Sequence, residues 1–191
     1  MIVVRAVPAD IPRLLQFRTD AARWLNAQGS DQWSTPYPPE LLNDSVSAGE
    51  VYLFHPTPQA APVATVTLDQ KAEPVLWTEK ERSEKALYVH KLTLAHPGSG
   101  DGLGARILDW CGDQAAREGA KWLRLDAWTT NTRLHAYYER LGFTHLRTVD
   151  DPAAYESGWV AQRPAVPCDL PFRSSSADDG PEPCRPPPQT T

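Results

Sequence analysis

The stretch Asn131-Thr-Arg-Leu-His-Ala-Tyr-Tyr-Glu-Arg-Leu-Gly-Phe143 carries the strongest structural signal in this sequence. Its apolar side chains recur at the i, i+3, i+4 and i+7 positions of a single helical face, at Leu134, Tyr137, Tyr138 and Leu141. Gly142 supplies the residue type with which helices commonly end. The stretch therefore predicts an amphipathic helix, followed by a strand that begins at Phe143.

A second signal lies upstream, where a predicted strand, Leu87–Leu94, runs into a glycine-rich turn and then a helix start at Leu103. Such a turn presents unpaired backbone N–H groups and the positive end of a helix dipole, which suits a phosphate. The glycines alternate at 98, 100, 102 and 104, and Ala105-Arg106 follows the last one. This pattern excludes a Walker A loop and a dinucleotide fingerprint. A purely structural turn is an equally good interpretation of these glycines alone.

The remaining periodicity predicts a mixed α/β domain with the element order β-α-α-β-β-β-α-β-α-β-β. Residues 71–85 are predicted to form a polar loop. Two further helices are predicted to begin after Asp10 and after Pro38. The other predicted strands are Ile2–Val7, Val51–Phe54, Val63–Leu68, Trp122–Ala127, Phe143–Val149 and Gly158–Gln162.

The composition changes at Pro164, and residues 164–191 hold eight of the nineteen prolines together with a run of serines. Such a segment buries too little apolar surface to offset its ordering entropy. The sequence therefore predicts a globular domain over residues 1–163 and a disordered or extended tail over residues 164–191. Cys111 falls in a helical pattern and is expected in the core, whereas Cys168 and Cys184 are expected as free thiols.

Charge and hydropathy exclude several classes of partner. A net charge of −5 disfavours a nucleic-acid partner. No apolar stretch is long enough to cross a bilayer and the first residues lack a signal-peptide pattern, so we expect a cytoplasmic protein with no membrane partner. No Cys/His spacing resembles a zinc site, and no metal is expected. Both a monomer and a homodimer stay open.

Together these segments resemble the GNAT superfamily of N-acetyltransferases over nearly the whole of residues 1–150. The stretch Asn131–Phe143 is similar to the family block Asn-x-x-Ala-x-x-Leu-Tyr-x-x-x-Gly-Phe, and Gly102-Leu103-Gly104 matches the second half of the family's acyl-CoA loop. The resemblance implies the GNAT fold, in which two neighbouring strands splay apart to form the acyl-CoA cleft. It also implies acetyl-CoA, or another acyl-CoA, as the cosubstrate.

The same resemblance implies where the cosubstrate binds. Backbone groups of Leu92, Thr93 and Leu94 are implied to hold the pantetheine arm. The turn and helix start are implied to hold the pyrophosphate, through Ser99, Gly100, Asp101, Gly102, Leu103, Gly104 and Ala105. Asn131 and Tyr138 complete the cosubstrate site. Tyr138 is also the implied proton donor to the departing thiolate, and the alternative is that Tyr137 and Tyr138 both pack in the core.

Two residues depart from the family's loop. Ser99 stands where the family has Arg or Gln, and Asp101 puts a negative charge where an anion is to bind. Either change removes an interaction worth roughly 1–3 kcal/mol unless another group replaces it. Arg106 is a candidate replacement, and a solvated surface role is its alternative.

Two residues are candidates for the general base that takes a proton from the acceptor amine. His90 titrates near neutrality and lies on the predicted fourth strand, and Asp126 lies on the next strand. Strict alternation along the strand predicts that His90 shares a face with Leu92 and Leu94. A purely structural role for His90 is the alternative.

The chain is rich in tryptophan, with seven residues. By the resemblance, several aromatic segments border the acceptor side of the cleft, where flat rings suit an apolar acceptor. Trp110 and Trp122 are expected to fill the core instead. The residues predicted to bind the acceptor are Trp24, Gln32, Trp33, Trp77 and Trp128.

The leading hypothesis is an N-acetyltransferase that acts on the amine of a small molecule by direct attack on the thioester. One alternative keeps the fold but takes the acyl group from an acyl-carrier protein, which has no adenosine pyrophosphate to hold. The other alternative is an acyl-CoA sensor without catalytic activity.

Overall fold

The computed structural model describes residues 1–35, 38–96, 100–150, 156–169 and 171–174. Within these residues eight strands form one sheet: β1 (Ile2–Arg5), β2 (Val51–His55), β3 (Ala64–Asp69), β4 (Ala86–Leu94), β5 (Trp122–Ala127), β6 (Thr144–Thr148), β7 (Trp159–Pro164) and β8 (Arg173–Ser174). The α-helices in the same residues are α1 (Ile11–Ala27), α2 (Pro39–Ser47), α3 (Glu79–Arg82), α4 (Leu103–Arg117) and α5 (Thr132–Arg140). The predicted mixed α/β fold is confirmed, with α3 and β8 as additional elements.

The strand order across the sheet is β6-β7-β5-β4-β3-β2-β1-β8. β4 and β5 are parallel, which the connection through α4 allows, and β1 and β8 are parallel as well. The other neighbouring strands run antiparallel. Side chains of α4 pack with Phe54 and Val66 on one face, whereas α1 and α2 pack with Val51 and Leu53 on the other. The sheet is therefore covered on both faces.

The feature that positions the candidate site is the separation of β4 from β5. Their pairing ends at Val89 and Leu125, although β4 continues to Leu94. On its other side β4 carries a bulge, because Thr67 pairs with His90 and Thr65 with Thr93, so that a two-residue step faces a three-residue step. This splayed strand pair is the one that the family resemblance predicts.

The bulge changes which side chains share a face. Lys91 has a positive φ of 54°, and strict alternation fails beyond it. Leu92 and Leu94 pack against the core cluster that contains α4, whereas His90 faces Asp69 on β3. The prediction that His90 shares a face with Leu92 and Leu94 is therefore wrong, because the extra residue in β4 reverses the alternation.

The main core lies between α4 and the sheet. Cys111 is fully buried there, as predicted, and burial raises the pKa of its thiol far above the usual range. Trp110 is also in the core, with its ring 5.3 Å from the ring of Phe54 in an edge arrangement. Cys168 is exposed, and Cys184 lies outside the described residues.

Trp77 corrects one prediction about the acceptor site. Only 1% of its surface is exposed, and it packs against Tyr88 and beneath the guanidinium of Arg124, which lies 5.0 Å from its ring. Arg124 is itself fully buried and donates hydrogen bonds to Tyr88, Gln162, Glu84 and the Glu81 carbonyl oxygen. Trp77 is thus a core residue that covers a buried cation, and it does not line the cleft.

The short helix α3 interrupts the segment that was predicted to be a loop. Thr78 caps it by accepting a hydrogen bond from the Glu81 backbone N–H, and the Glu81 carboxylate accepts one from the Thr78 N–H in return. The sequence signal for this helix was present as Thr-x-x-Glu. Trp122, which was expected in the core, is half-buried and donates its indole N–H to Glu84 at 2.7 Å.

Several of the described residues after Pro164 contact the domain. Phe172 packs on Phe54 with ring centroids 5.8 Å apart, and the Arg173 N–H donates to the Met1 carbonyl oxygen. The Cys168 N–H donates to Asp113 at 3.0 Å. The domain boundary after Arg163 stays a prediction. Residues 165–169 and 171–174 do not form a detached tail, because these contacts join them to the domain.

Two truncations separate this packed segment from the rest of the tail. We expect a chain that ends at Ser174 to keep the melting temperature of the full chain, because residues 175–191 have little apolar surface to bury. A chain that ends at Ala165 loses the Phe172 contact, and we expect its free energy of unfolding to fall by roughly 2 kcal/mol. Urea denaturation of the three chains measures the difference. Equal stability of the two truncated chains would show that residues 166–174 contribute nothing to the fold.

Candidate active site

A cleft of about 1710 Å³ opens where β4 and β5 separate. Its walls include most residues that the sequence predicted for the site. On the cosubstrate side these are Leu92, Thr93, Leu94, Gly100, Asp101, Gly102, Leu103, Gly104, Asn131 and Tyr138. On the acceptor side they are Trp24, Gln32, Trp33 and Trp128, with His90 and Asp126 between the two sides. Ala105 is not among the lining residues, and Ser99 lies outside the described residues.

The glycine turn brings the first turn of α4 to the cleft. Gly102 is the residue before α4 and has a positive φ of 72°, and Gly100 has a φ of 73°. A side chain is strained in this conformation, so the turn requires glycine at both positions. The first N–H groups of α4 have no partners within the helix, and Gly102, Leu103 and Gly104 at its start line the cleft. The turn can therefore hold an anionic group.

Asp101 has a structural partner in this turn. Its carboxylate accepts a hydrogen bond from the Leu103 N–H at 2.9 Å, so one backbone donor of the loop is already engaged. Arg106, the predicted replacement for the missing family cation, is exposed and does not line the cleft. Two other arginines, Arg133 and Arg140, do line it, from α5.

Tyr137 and Tyr138 occupy different places on α5. A Cβ added at Gly104 would lie 2.8 Å from the hydroxyl of Tyr137, so Tyr137 packs directly over the helix start and Gly104 gives it room. Tyr138 is buried against Phe143 and Trp159, while its side chain still reaches the cleft. Burial raises the pKa of Tyr138, and the phenol therefore stays protonated throughout the neutral range.

His90 lies between two carboxylates in the centre of the cleft. Its Nε2 is 3.5 Å from an oxygen of Asp69, and its Nδ1 is 3.5 Å from an oxygen of Asp126. Burial alone lowers the pKa of His90, but the hydrogen bonds and negative charges of Asp126 and Asp69 outweigh it and raise the pKa to about 9. At neutral pH the imidazole already carries its proton, which argues against the predicted role of His90 as general base.

This cluster makes the stability of the protein depend on pH. The pKa of His90 rises from 6.5 in the unfolded chain to about 9 in the folded one, so its contribution is complete below pH 6.5 and is lost as the pH rises through 9. We expect the free energy of unfolding to fall by roughly 3 kcal/mol over this window, relative to His90→Gln. Denaturation curves at several pH values measure the loss, and imidazole NMR measures the pKa itself. A midpoint near 6.5 would contradict the clustered geometry.

The acceptor side is built around the loop of residues 28–33, which we call the acceptor loop. Asp31 accepts a hydrogen bond from the indole N–H of Trp128 at 2.8 Å, and Gln32 accepts one from the Asn131 amide at 2.7 Å. The other end of the Asn131 side chain caps α5 by accepting from the Leu134 N–H. Asn131 therefore bridges the acceptor loop and α5, and its predicted contact with the cosubstrate stays a prediction.

Two carboxylates of this site were not predicted from the sequence. Asp69 is the last residue of β3 and Asp31 lies in an irregular loop, so neither belongs to a local motif. Their roles arise from contacts with residues that lie 21 to 97 positions away along the chain, which no local pattern records.

Across the described residues, no group of three or more His, Cys, Asp or Glu side chains could hold a metal ion. No helix in the described part of the chain is long and apolar enough to cross a bilayer.

Comparisons with known proteins agree with this geometry. The model of the acetyltransferase (GNAT) family matches residues 18–143. The uncharacterized N-acetyltransferase YesJ of Bacillus subtilis (strain 168) is 29% identical over 145 residues, which cover 74% of this chain and 80% of that protein. A GNAT-family acetyltransferase crystal structure from Listeria monocytogenes 4b F2365 matches with a TM-score of 0.71 and 24% identity, over 85% of this chain and 93% of that one.

A second similar structure was solved with a ligand. Arabidopsis thaliana Naa50, in complex with the bisubstrate analogue CoA-Ac-MVNAL, matches with a TM-score of 0.58 and 17% identity, over 84% of this chain and 96% of that one. At this identity the likeness establishes a shared fold.

Proposed function

The chain belongs to the acetyltransferase (GNAT) family, and we propose that it transfers an acetyl group from acetyl-CoA to the amine of a small molecule by direct attack. The observation that carries the proposal is the separation of β4 and β5 after Val89 and Leu125. Among the described residues, no strand pairs with the cleft side of Leu92, Thr93 and Leu94, which lie beside the N-terminus of α4 and the side chain of Tyr138. One cleft thus contains a strand edge for the thioester arm, a site for an anion, and an acid.

The donor side fits acetyl-CoA. The edge of β4 that β5 leaves open at residues 92–94 suits the amides of the pantetheine arm, because an extended arm can pair with the backbone of a strand edge. The free N–H groups in the first turn of α4 suit the pyrophosphate. Arg133 and Arg140 supply positive charge along the same wall. The bisubstrate analogue bound by the Arabidopsis thaliana protein contains CoA, which supports the same donor here.

The acceptor amine must lose a proton in order to attack. His90 already carries a proton at neutral pH, since its pKa is about 9. Asp126 faces the cleft beside it and is the group that we assign to receive the proton, directly or through water. His90 then orients Asp126 and balances part of its charge.

The reaction then has one bond-forming and one bond-breaking event. The amine nitrogen attacks the carbonyl carbon of the thioester, and the carbon–sulfur bond breaks. The thiolate takes a proton from the Tyr138 hydroxyl, the proton that the new amide nitrogen gives up passes to water, and the Tyr138 phenolate is reprotonated from water. Because the thiolate forms in the same apolar surroundings that raise the pKa of Tyr138, its own proton affinity rises in parallel.

A carrier-protein donor is the second candidate, and one observation favours it. Asp101 engages the Leu103 N–H, which reduces the number of backbone donors that are left for a pyrophosphate. The two donors can be compared directly, by mass spectrometry of an amine panel that is incubated with the protein and either acetyl-CoA or an acetylated carrier protein. We expect acetylated amine with acetyl-CoA. Product with the carrier alone would favour the second candidate, and no product with either donor would refute the proposed function.

A further inference from the structure

Two consecutive residues of the acceptor loop, Asp31 and Gln32, form hydrogen bonds with the turn between β5 and α5. On this ground we infer that Asp31 is a positioning residue, which holds the indole of Trp128 in place as a wall of the acceptor site. The inference rests on the proposed function, because it assumes that the acceptor amine binds on this side of the cleft. It concerns the binding of the acceptor and not that of acetyl-CoA.

The hydrogen bonds of Asp31 are both accepted by a single carboxylate oxygen. Oδ1 of Asp31 accepts from the Trp128 indole N–H at 2.8 Å and from the Thr130 hydroxyl at 3.2 Å. Trp128 is 8% exposed, and a buried indole N–H without a partner is costly. The hydrogen bond therefore fixes the angle at which the ring faces the cleft.

The backbone of Trp128 is fixed independently of its ring. Its carbonyl oxygen accepts a hydrogen bond from Nε2 of His135 at 2.9 Å, and also from the Asn131 N–H. The main chain of this residue is thus tied to α5. What Asp31 adds is the orientation of the side chain.

The hydrogen bond of Gln32 is donated by the Asn131 amide, and Gln32 is 8% exposed. Because Oδ1 of Asn131 caps α5 at the same time, the acceptor loop and the first turn of α5 are joined through one side chain. The loop is therefore held against the wall that carries Trp128 over the length of two residues.

The next residue shows that the loop is held under strain. Trp33 has a φ of 65°, in the left-handed region that bulky side chains rarely adopt. The guanidinium of Arg18 lies 4.4 Å from its ring and packs on it. Strained residues persist where the surroundings determine the conformation, and they concentrate at functional sites. The strain at Trp33 and the hydrogen bonds of Asp31 and Gln32 indicate that this wall of the acceptor site is preorganised before the amine binds.

Two substitutions of one residue separate positioning from charge. Asp31→Asn keeps an oxygen that can accept from Trp128 and Thr130, and it removes the negative charge. Asp31→Ala removes both. We expect the acceptor KM to rise roughly 3–10-fold in Asp31→Ala, the worth of a lost hydrogen bond to a buried donor, and to stay within about 2-fold of the wild type in Asp31→Asn. The KM for acetyl-CoA is expected to stay unchanged in both. Asp20→Asn is the control for loss of charge at a distance, because Asp20 is a half-buried carboxylate on α1 that does not line the cleft.

NMR of the indole N–H groups gives a readout that does not need turnover. The Trp128 resonance, assigned by its loss in Trp128→Phe, is expected to be protected from exchange in the wild type and in Asp31→Asn but not in Asp31→Ala. An equal rise of the acceptor KM in both Asp31 variants would overturn the inference, because charge would then be the cause. An unprotected indole in the wild type would overturn it as well. If the wild type acetylates no amine, the proposed function fails, and the indole resonance still decides whether Asp31 positions Trp128.

Discussion

Replacing Tyr138 with phenylalanine is expected to lower kcat by roughly 10²–10⁴, the usual contribution of a positioned general acid. The substitution keeps the aromatic ring that packs against Phe143 and Trp159, and removes only the hydroxyl of this cleft-lining residue. The KM for acetyl-CoA is expected to change little, because the lost interaction develops only as the thiolate leaves. Steady-state kinetics with both substrates varied measures this separation of kcat from KM.

Tyr137→Phe is the matched control. Tyr137 is the neighbouring residue on α5, and it also loses a hydroxyl that lies in the cleft wall, over Gly104. We expect its kcat to stay within about 3-fold of the wild type, because its hydroxyl contributes at most one ordinary hydrogen bond. Near-normal turnover in Tyr138→Phe would show that solvent or another residue supplies the proton. If both variants lose activity in proportion to their loss of stability, the two tyrosines are packing residues.

Replacing Gly102 with valine is expected to weaken acetyl-CoA binding by roughly 100-fold or more. Gly102 has a φ of 72°, a conformation that costs a β-branched residue on the order of 1–3 kcal/mol, so the turn is expected to rearrange. A rearranged turn redirects the N–H groups at the start of α4, and each charge-assisted hydrogen bond lost to the pyrophosphate adds about 1.5–3 kcal/mol. Isothermal titration calorimetry with acetyl-CoA measures the change in Kd.

Gly119→Val separates this effect from general strain. Gly119 follows α4, has a φ of 73°, and has no atom within 4 Å of an added Cβ, as is the case for Gly102. It does not line the cleft. We expect Gly119→Val to lose stability but to bind acetyl-CoA normally. Equal loss of binding in both variants would mean that the glycine turn has no special part in holding the donor.

Local patterns were sufficient to predict the elements that surround the donor. The periodicity before Gly142 and the glycines before Leu103 are signals between residues close in sequence, and α5 and α4 follow them. The buried position of Cys111 follows from the same periodicity. These features could be predicted because a helix is determined largely by residues three and four positions apart.

Features that depend on distant contacts were not predictable in this way. Trp77 covers the buried Arg124, whose position 47 residues later in the chain no local pattern connects with a tryptophan. The bulge at Lys91 puts Leu92 and Leu94 on the opposite face from His90, although no glycine or proline in the sequence of this strand marks a bulge. The carboxylates of Asp69 and Asp31 acquire roles only when the sheet and the acceptor loop bring partners to them. Such features require the tertiary structure.

Direct attack of the amine on acetyl-CoA can be tested by a single turnover followed by mass spectrometry of both the amine and the intact protein. With protein in excess over acetyl-CoA, we expect the acetyl group to move to the amine in equal amount to the CoA released. We expect no acetylated protein to accumulate when the amine is omitted. Acetylated protein that forms without the amine and then passes its acetyl group on would contradict direct attack. Release of CoA without acetylated amine would contradict acetyl transfer itself.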